Sequence, residues 1–306
     1  MRFGFLIPLL LFFMIALLVG IYAGAGILVD NTKLQEKTAL VKRTGESVPG
    51  LTAEAFFVGY VNSDGRVQEL ASSNADVILP IASITKLLSV PITEELLGGG
   101  DVTVRISESA ANIPNSNHTT LKAGQSFLAR DLIAVSFVES NNDAVTALAE
   151  QAGIDKVLTR MRERAAMIGM EGSVWVNATG LDPAPNVEPN SSSARSLANL
   201  GVWMAKEKPK LLAFTRETVV PLVDASGAFL RNATTTNTLL STTDLPFTLL
   251  GGKTGETPRS GGNLLTLWRG PNNILLVVVI LNADDRFTET RSLVEYLARA
   301  YTVRSE

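Results

Sequence analysis

Short apolar runs of strand length stand at both ends of residues 51–306, and segments of helical periodicity fill the middle. Residues 53–60 are rich in Ala, Phe and Val, Asn62-Ser63-Asp64-Gly65 is a turn, and residues 66–70 return as a second strand. Near the other end, the apolar runs 264–268 and 274–281 are joined by Arg269-Gly270-Pro271-Asn272-Asn273, a hairpin connection. Between them, residues 130–137 and 144–151 read as helices. Ile154, Leu158, Met161, Ala165 and Ile168 form one apolar helix face. Residues 83–90 read as a helix that Pro91 limits or kinks. Residues 288–301 read as an amphipathic helix that ends the chain. Strands, then helices, then strands predict an α+β architecture: one antiparallel sheet from both chain ends, with a helical region inserted.

Residues 3–29 carry no charged side chain. About 20 apolar residues cross the hydrocarbon core as a helix. Arg2 precedes the segment and Asp30 follows it, so the positive-inside rule puts the N-terminus in the cytoplasm and the rest outside. Ala23-Gly24-Ala25 also fits a signal-peptide cleavage site. The apolar stretch exceeds the roughly 7–15 residues of a signal core, which favours a retained anchor over residues 1–29. Either reading exports the remainder, and the expected location is the cell membrane with the following domain outside the cytoplasm. Residues 30–50, with Lys33, Glu36, Lys37, Lys42 and Arg43, read as a polar linker, and residues 51–306 as a single folded domain.

Composition narrows the chemistry. With 27 basic against 30 acidic residues, the chain has no general attraction for nucleic acid. It has no cysteine, which excludes disulfides, thiol catalysis and Cys-ligated zinc. Its single histidine, His118, lies in a polar run that reads as a surface loop. A serine enzyme built on this chain is therefore expected to use lysine as its base, not a Ser-His-Asp triad.

Three short motifs occur in order. In Ser83-Ile84-Thr85-Lys86, positions i and i+3 share a helix face, so the Ser83 hydroxyl and the Lys86 amine can meet. A serine is a weak nucleophile until a neighbour takes its proton, and a buried lysine near other cations can do so. Alone, the pattern is common and more often marks an exposed helix. Ser140-Asn141-Asn142 falls where one helix ends and another begins. Ser140 could relay a proton and Asn142 could hold Lys86; helix capping is the plainer role. Lys253-Thr254-Gly255 precedes a strand, where a sheet edge could pair with an extended peptide. Lys253 and Thr254 would meet a carboxylate, and Gly255 would let substrate backbone approach; a turn is the plainer role.

Together, S-x-x-K, S-x-N and K-T-G form the signature of penicillin-binding proteins and serine β-lactamases. The surrounding sequence resembles the low-molecular-mass D-alanyl-D-alanine carboxypeptidases from about Ala53 onward. Ala82-Ser83-Ile84-Thr85-Lys86-Leu87, Leu121-Lys122-Ala123-Gly124-Gln125, Asn177-Ala178-Thr179-Gly180-Leu181 and Lys253-Thr254-Gly255-Glu256-Thr257-Pro258 carry the resemblance. It implies a DD-peptidase fold in which Ser83 attacks the bond between the terminal D-alanines of a peptidoglycan stem peptide. It further implies Lys86 as general base, with Ser140 and Asn142 assisting. Lys253 and Thr254 would bind the terminal carboxylate, and the N–H groups of Ser83 and Glu256 would form the oxyanion hole. β-Lactams would acylate the same serine. No metal or organic cofactor is implied.

Some features depart from the family pattern. The family's Ser-Gly-Asn is Ser-Asn-Asn here, and the extra side chain could narrow the cleft. Many members carry a C-terminal β-sandwich and an amphipathic anchor; neither is expected in a chain ending at residue 306, where the N-terminal segment would serve instead. Arg286 and Arg291 are candidates for a late arginine that assists carboxylate binding. A β-lactamase is disfavoured because no Glu-x-x-x-Asn element lies between Asn142 and Lys253. The same fold could also serve a DD-endopeptidase or a catalytically idle wall-binding protein; the presence of all three motifs speaks against the idle one.

Overall fold

The computed structural model describes residues 38–43, 45–113 and 121–305. The apolar N-terminal segment and His118 lie outside them. Among the described residues, no helix is long and apolar enough to cross a membrane.

Strands β1 (Thr38–Lys42), β2 (Ala55–Val61) and β3 (Val67–Ser73) come first, followed by β4 (Leu79–Pro80), a 3₁₀ turn at Ala82–Thr85 and helix α1 (Lys86–Leu97). Next come β5 (Thr103–Arg105), α2 (Glu108–Ala111) and β6 (Ser126–Leu128). The helices α3 (Ala129–Val138), α4 (Asn142–Ala152) and α5 (Ile154–Met167) then follow in succession. After β7 (Ser191–Ser192) come α6 (Ala194–Glu207), α7 (Pro209–Phe214) and the hairpin β8 (Val219–Val223)–β9 (Phe229–Thr234). The chain returns through β10 (Thr248–Thr257), β11 (Gly261–Arg269), β12 (Leu275–Ala283), α8 (Arg286–Ala300) and β13 (Tyr301–Ser305).

The main sheet has the order β10-β11-β12-β2-β3 and every pairing is antiparallel. Both chain ends thus build it, as the sequence predicts. Side chains alternate across the sheet. Phe57, Val277, Val279 and Leu265 face the helical region, whereas Val58, Val278, Ile280 and Leu264 belong to the core beneath α8. Burial on both faces explains why these strands read as continuous apolar runs rather than as alternating ones. The order leaves β10 on an edge, against the 3₁₀ turn that carries Ser83.

Several boundaries differ from expectation. Thr38–Lys42 lies within the stretch read as a linker but pairs with Tyr301–Ser305, and Arg43 N donates to Ala300 O at 2.7 Å. Leu40 and Val303 pack against the core under α8, and that apolar contact is what a polar-linker reading overlooks. The chain therefore does not end in its helix. Helix α1 runs through Pro91 to Leu97, where Gly98 stops it at φ 78°. In α5 the buried residues are Val157, Met161 and Ala165, while Ile154 is 46% exposed, so the buried stripe is shifted from the predicted face.

Candidate active site

Ser83 lies in the 3₁₀ turn at the head of α1. The preceding Ala82 has φ 47°, a region that residues bearing a Cβ rarely adopt. Thr85 Oγ1 donates to Ala82 O at 2.7 Å, and Asn190 Nδ2 donates to Thr85 Oγ1 at 3.0 Å, so the turn is held from beneath. Such strained backbone persists when its surroundings over-determine it.

The spacing of S-x-x-K does bring the pair together: Lys86 Nζ lies 2.7 Å from Ser83 Oγ. Lys86 is fully buried, and its amine also contacts Asn142 Oδ1 at 2.8 Å and the Thr179 carbonyl at 2.7 Å. None of these acceptors carries a charge. Burial, followed by repulsion from Lys253, holds the Lys86 amine well below the usual lysine pKa. A neutral amine has two N–H groups and one lone pair. The two carbonyl oxygens can only accept, so they take both N–H groups. The lone pair is left for the Ser83 hydroxyl, which is the arrangement a general base requires.

Ser140 joins α3 to α4 with φ 64°. The capping role and the functional role fall on neighbouring residues. Asn141 caps α4 by accepting from Ala144 N at 2.8 Å, while Asn142 reaches Lys86. Asn141 is buried and also donates to Glu139 Oε1 at 2.8 Å, so the extra side chain of Ser-Asn-Asn does not narrow the cleft. Glu139 in turn accepts from Arg231 Nη1 at 2.7 Å, which ties this turn to β9.

Lys253, Thr254 and Gly255 lie within edge strand β10, not in a turn. Lys253 is 1% exposed; burial, then Arg286, lowers its pKa to about 7. Its Nζ lies 3.1 Å from Thr254 O, and Thr254 Oγ1 lies 2.6 Å from Thr236 Oγ1. A Cβ on Gly255 would sit 2.7 Å from Ile81 O and 3.3 Å from Ile84 N. Gly255 thus also seats β10 against the turn that carries Ser83. Glu256 is exposed and bonds Arg286 Nη1 at 2.6 Å; the same Nη1 reaches Gly255 O at 3.3 Å. Arg291 instead pairs with Asp244 and Glu295, so Arg286 is the late arginine beside the site.

Sequence reasoning assigns no role to the Thr179 carbonyl, Asn190 or Thr236. The signal lay in Asn177-Ala178-Thr179-Gly180-Leu181. Asn177 Oδ1 accepts from the N–H groups of Thr179 and Gly180 at 3.1 and 2.7 Å, folding the segment so that its carbonyls face α1. Ala178 O accepts from Ser89 Oγ at 2.6 Å, and Thr179 O from Lys86. Gly180 has φ 82°, and a Cβ there would lie 2.0 Å from Ala82 O. A cleft of about 570 Å³, lined by Leu239, Leu245, Phe247 and Pro271, contains none of these groups. The site is therefore defined by its chemistry, not by that cleft.

A family model described as D-alanyl-D-alanine carboxypeptidase, Peptidase S11, matches residues 42–285. The chain belongs to this family. As an S11 chain it is 27% identical, over 267 residues, to the D-alanyl-D-alanine carboxypeptidase DacA of Haemophilus influenzae, covering 82% of this chain and 63% of that protein. It thus spans less than two thirds of that relative's length. It is 26% identical over 224 residues to a D-alanyl-D-alanine endopeptidase of Pseudomonas aeruginosa, covering 72% of this chain and 68% of the relative. Among solved structures, penicillin-binding protein D2 of Listeria monocytogenes in its cefotaxime-bound form superposes with a TM-score of 0.70 at 25% identity, covering 83% of this chain and 100% of that one. Penicillin-binding protein 5 of Haemophilus influenzae gives 0.71 at 26% identity, covering 82% and 72%. The S11 fold of this chain is accordingly the DD-peptidase fold.

Proposed function

We propose that the chain is a serine-type D-alanyl-D-alanine carboxypeptidase acting on peptidoglycan stem peptides. The observation that carries this reading is the buried Lys86 amine, held by Asn142 and Thr179 with Ser83 Oγ 2.7 Å away. The relatives named for this activity support the substrate class.

In the proposed reaction an extended peptide lies along edge strand β10. Lys253, Thr254 and Arg286 receive its terminal carboxylate. Ser83 Oγ attacks the carbonyl of the penultimate D-alanine while Lys86 Nζ takes the hydroxyl proton. Backbone N–H groups of Ser83 and Glu256 stabilise the oxyanion, a contribution of about 3–4 kcal/mol per donor in other enzymes. The C–N bond then breaks, Ser140 passes a proton to the leaving amine, and water hydrolyses the ester on Ser83. β-Lactams acylate the same serine, a reading supported by the cefotaxime-bound relative. We place the domain outside the cytoplasm on a membrane span formed by residues 3–29, supported by their lack of charge.

Mass spectrometry of a disaccharide-pentapeptide and of cross-linked muropeptides after incubation tests the activity. Loss of one alanine is expected. Cleavage of cross-links alone would make the chain an endopeptidase, and no change in either substrate would refute peptidase action.

A further inference from the structure

The candidate carboxylate receptor already holds a carboxylate supplied by the chain itself. Glu256 Oε2 lies 2.6 Å from Arg286 Nη1. The two partners are unequal. The Arg286 side chain is 16% exposed and the Glu256 side chain 66% exposed. Arg286 is fixed: its Nη1 also donates to Gly255 O, and its guanidinium carbon lies 5.0 Å from the Phe287 ring centroid. Its Nε–H is buried and finds no acceptor among the described residues. Glu256 can swing into solvent with little obstruction, because two thirds of its side chain is already there.

Lys253 within the K-T-G strand and Arg286 against Gly255 O put two basic side chains at this edge, and Glu256 follows the motif directly. A substrate carboxylate approaching Arg286 meets both a competitor for the same guanidinium and a like charge. From this we infer that Glu256 is a specificity-determining residue: it acts as an internal carboxylate that a substrate must displace from Arg286, so it discriminates against weakly bound anionic C-termini.

The inference rests on the proposed peptidase function. If it holds, the Glu256 side chain affects ligands that carry the carboxylate more than those that lack it. An exposed ion pair is a weak competitor, so the expected gain on removing it is about three- to tenfold at low salt, shrinking as salt rises.

The test compares acylation of the full chain by benzylpenicillin and by benzylpenicillin methyl ester, measured as second-order rate constants for wild type, Glu256→Gln and Glu256→Ala. Both variants are expected to raise the benzylpenicillin rate about three- to tenfold relative to the ester rate, so the acid-to-ester ratio rises. Matching melting temperatures confirm that both variants fold. An unchanged or lower ratio, with Ser83 still acylated, overturns the inference and leaves the peptidase reading intact. Absence of acylation in all three proteins overturns the peptidase reading and the inference with it.

Discussion

The backbone carbonyl of Thr179 accepts a hydrogen bond from Lys86 Nζ at 2.7 Å across 93 positions of sequence. That bond, with the one to Asn142, orients the amine without placing a negative charge beside it. A carboxylate in either place would favour the protonated amine and remove the base. The uncharged carbonyls leave burial and Lys253 to decide the protonation state.

Gly180 is the position on which this bond depends. Gly180→Ala combines a left-handed backbone with a Cβ 2.0 Å from Ala82 O, so either the nucleophile turn or the Thr179 carbonyl has to move. A destabilisation of about 2–4 kcal/mol is expected, together with a fall in acylation rate larger than the loss of folded protein explains. Thermal melting and penicillin acylation on the same sample check this; an unperturbed acylation rate would mean that Thr179 does not position Lys86.

Lys253 is expected to set the alkaline limit of the proposed activity. In the proposed reaction its amine is charged when it receives a carboxylate, and in the free protein burial, then Arg286, lowers its pKa to about 7. The value of kcat/KM, which reports the free enzyme, is expected to fall above about pH 7, while the limit in kcat moves upward because bound carboxylate favours the charged amine. Arginine stays charged throughout this range, so Lys253→Arg is expected to carry the alkaline limb of kcat/KM upward, whatever its absolute rate. Identical limbs in both proteins would remove Lys253 from the profile.

The same lowering is a stability statement. A lysine at 10.5 when unfolded and about 7 when folded opposes folding below 7, and the penalty fades as pH rises toward 10.5. Lys253→Met is therefore expected to be more stable than wild type at pH 7, on the order of a few kcal/mol at most, with the difference shrinking by pH 10. Denaturant unfolding at the two pH values decides it; a variant less stable at pH 7 would rule out an unfavourable buried ammonium.

Strand β1 makes residues 38–42 part of the domain rather than a linker. A chain starting at residue 50 loses the partner of β13 and uncovers the apolar contacts of Leu40 with the core under α8. Its stability is expected to fall by about 1–3 kcal/mol while Ser83 remains open to acylation. A melting temperature equal to that of the longer chain would show that the pairing contributes nothing.

The main sheet was legible because its strands are apolar on both faces and its turns carry Gly, Asn and Pro. The Ser83–Lys86 contact was legible because it is local, one helical turn apart. Asn142 was legible as a motif position, although its capping neighbour Asn141 could not be separated from it by composition. What the residue pattern concealed are contacts made through the backbone or across the fold. The Thr179 carbonyl belongs to every residue type alike. Thr236 meets Thr254 only because β9 leads back past the edge of the sheet. Arg286 and Arg291 are indistinguishable by spacing; the structure separates them because Arg286 reaches Gly255 O and Arg291 turns to Asp244. The motif does not reveal that Gly255 also stands against Ile81 and Ile84.

The proposed mechanism turns on the Ser83 hydroxyl as the nucleophile and the Lys86 amine as its activator. Peptide-level mass spectrometry after exposure to benzylpenicillin addresses this most directly. One penicilloyl group is expected, located on the peptide containing Ser83, absent in Ser83→Ala and strongly slowed in Lys86→Met, with both variants folded. An adduct on another residue, or undiminished acylation without the Lys86 amine, would contradict it.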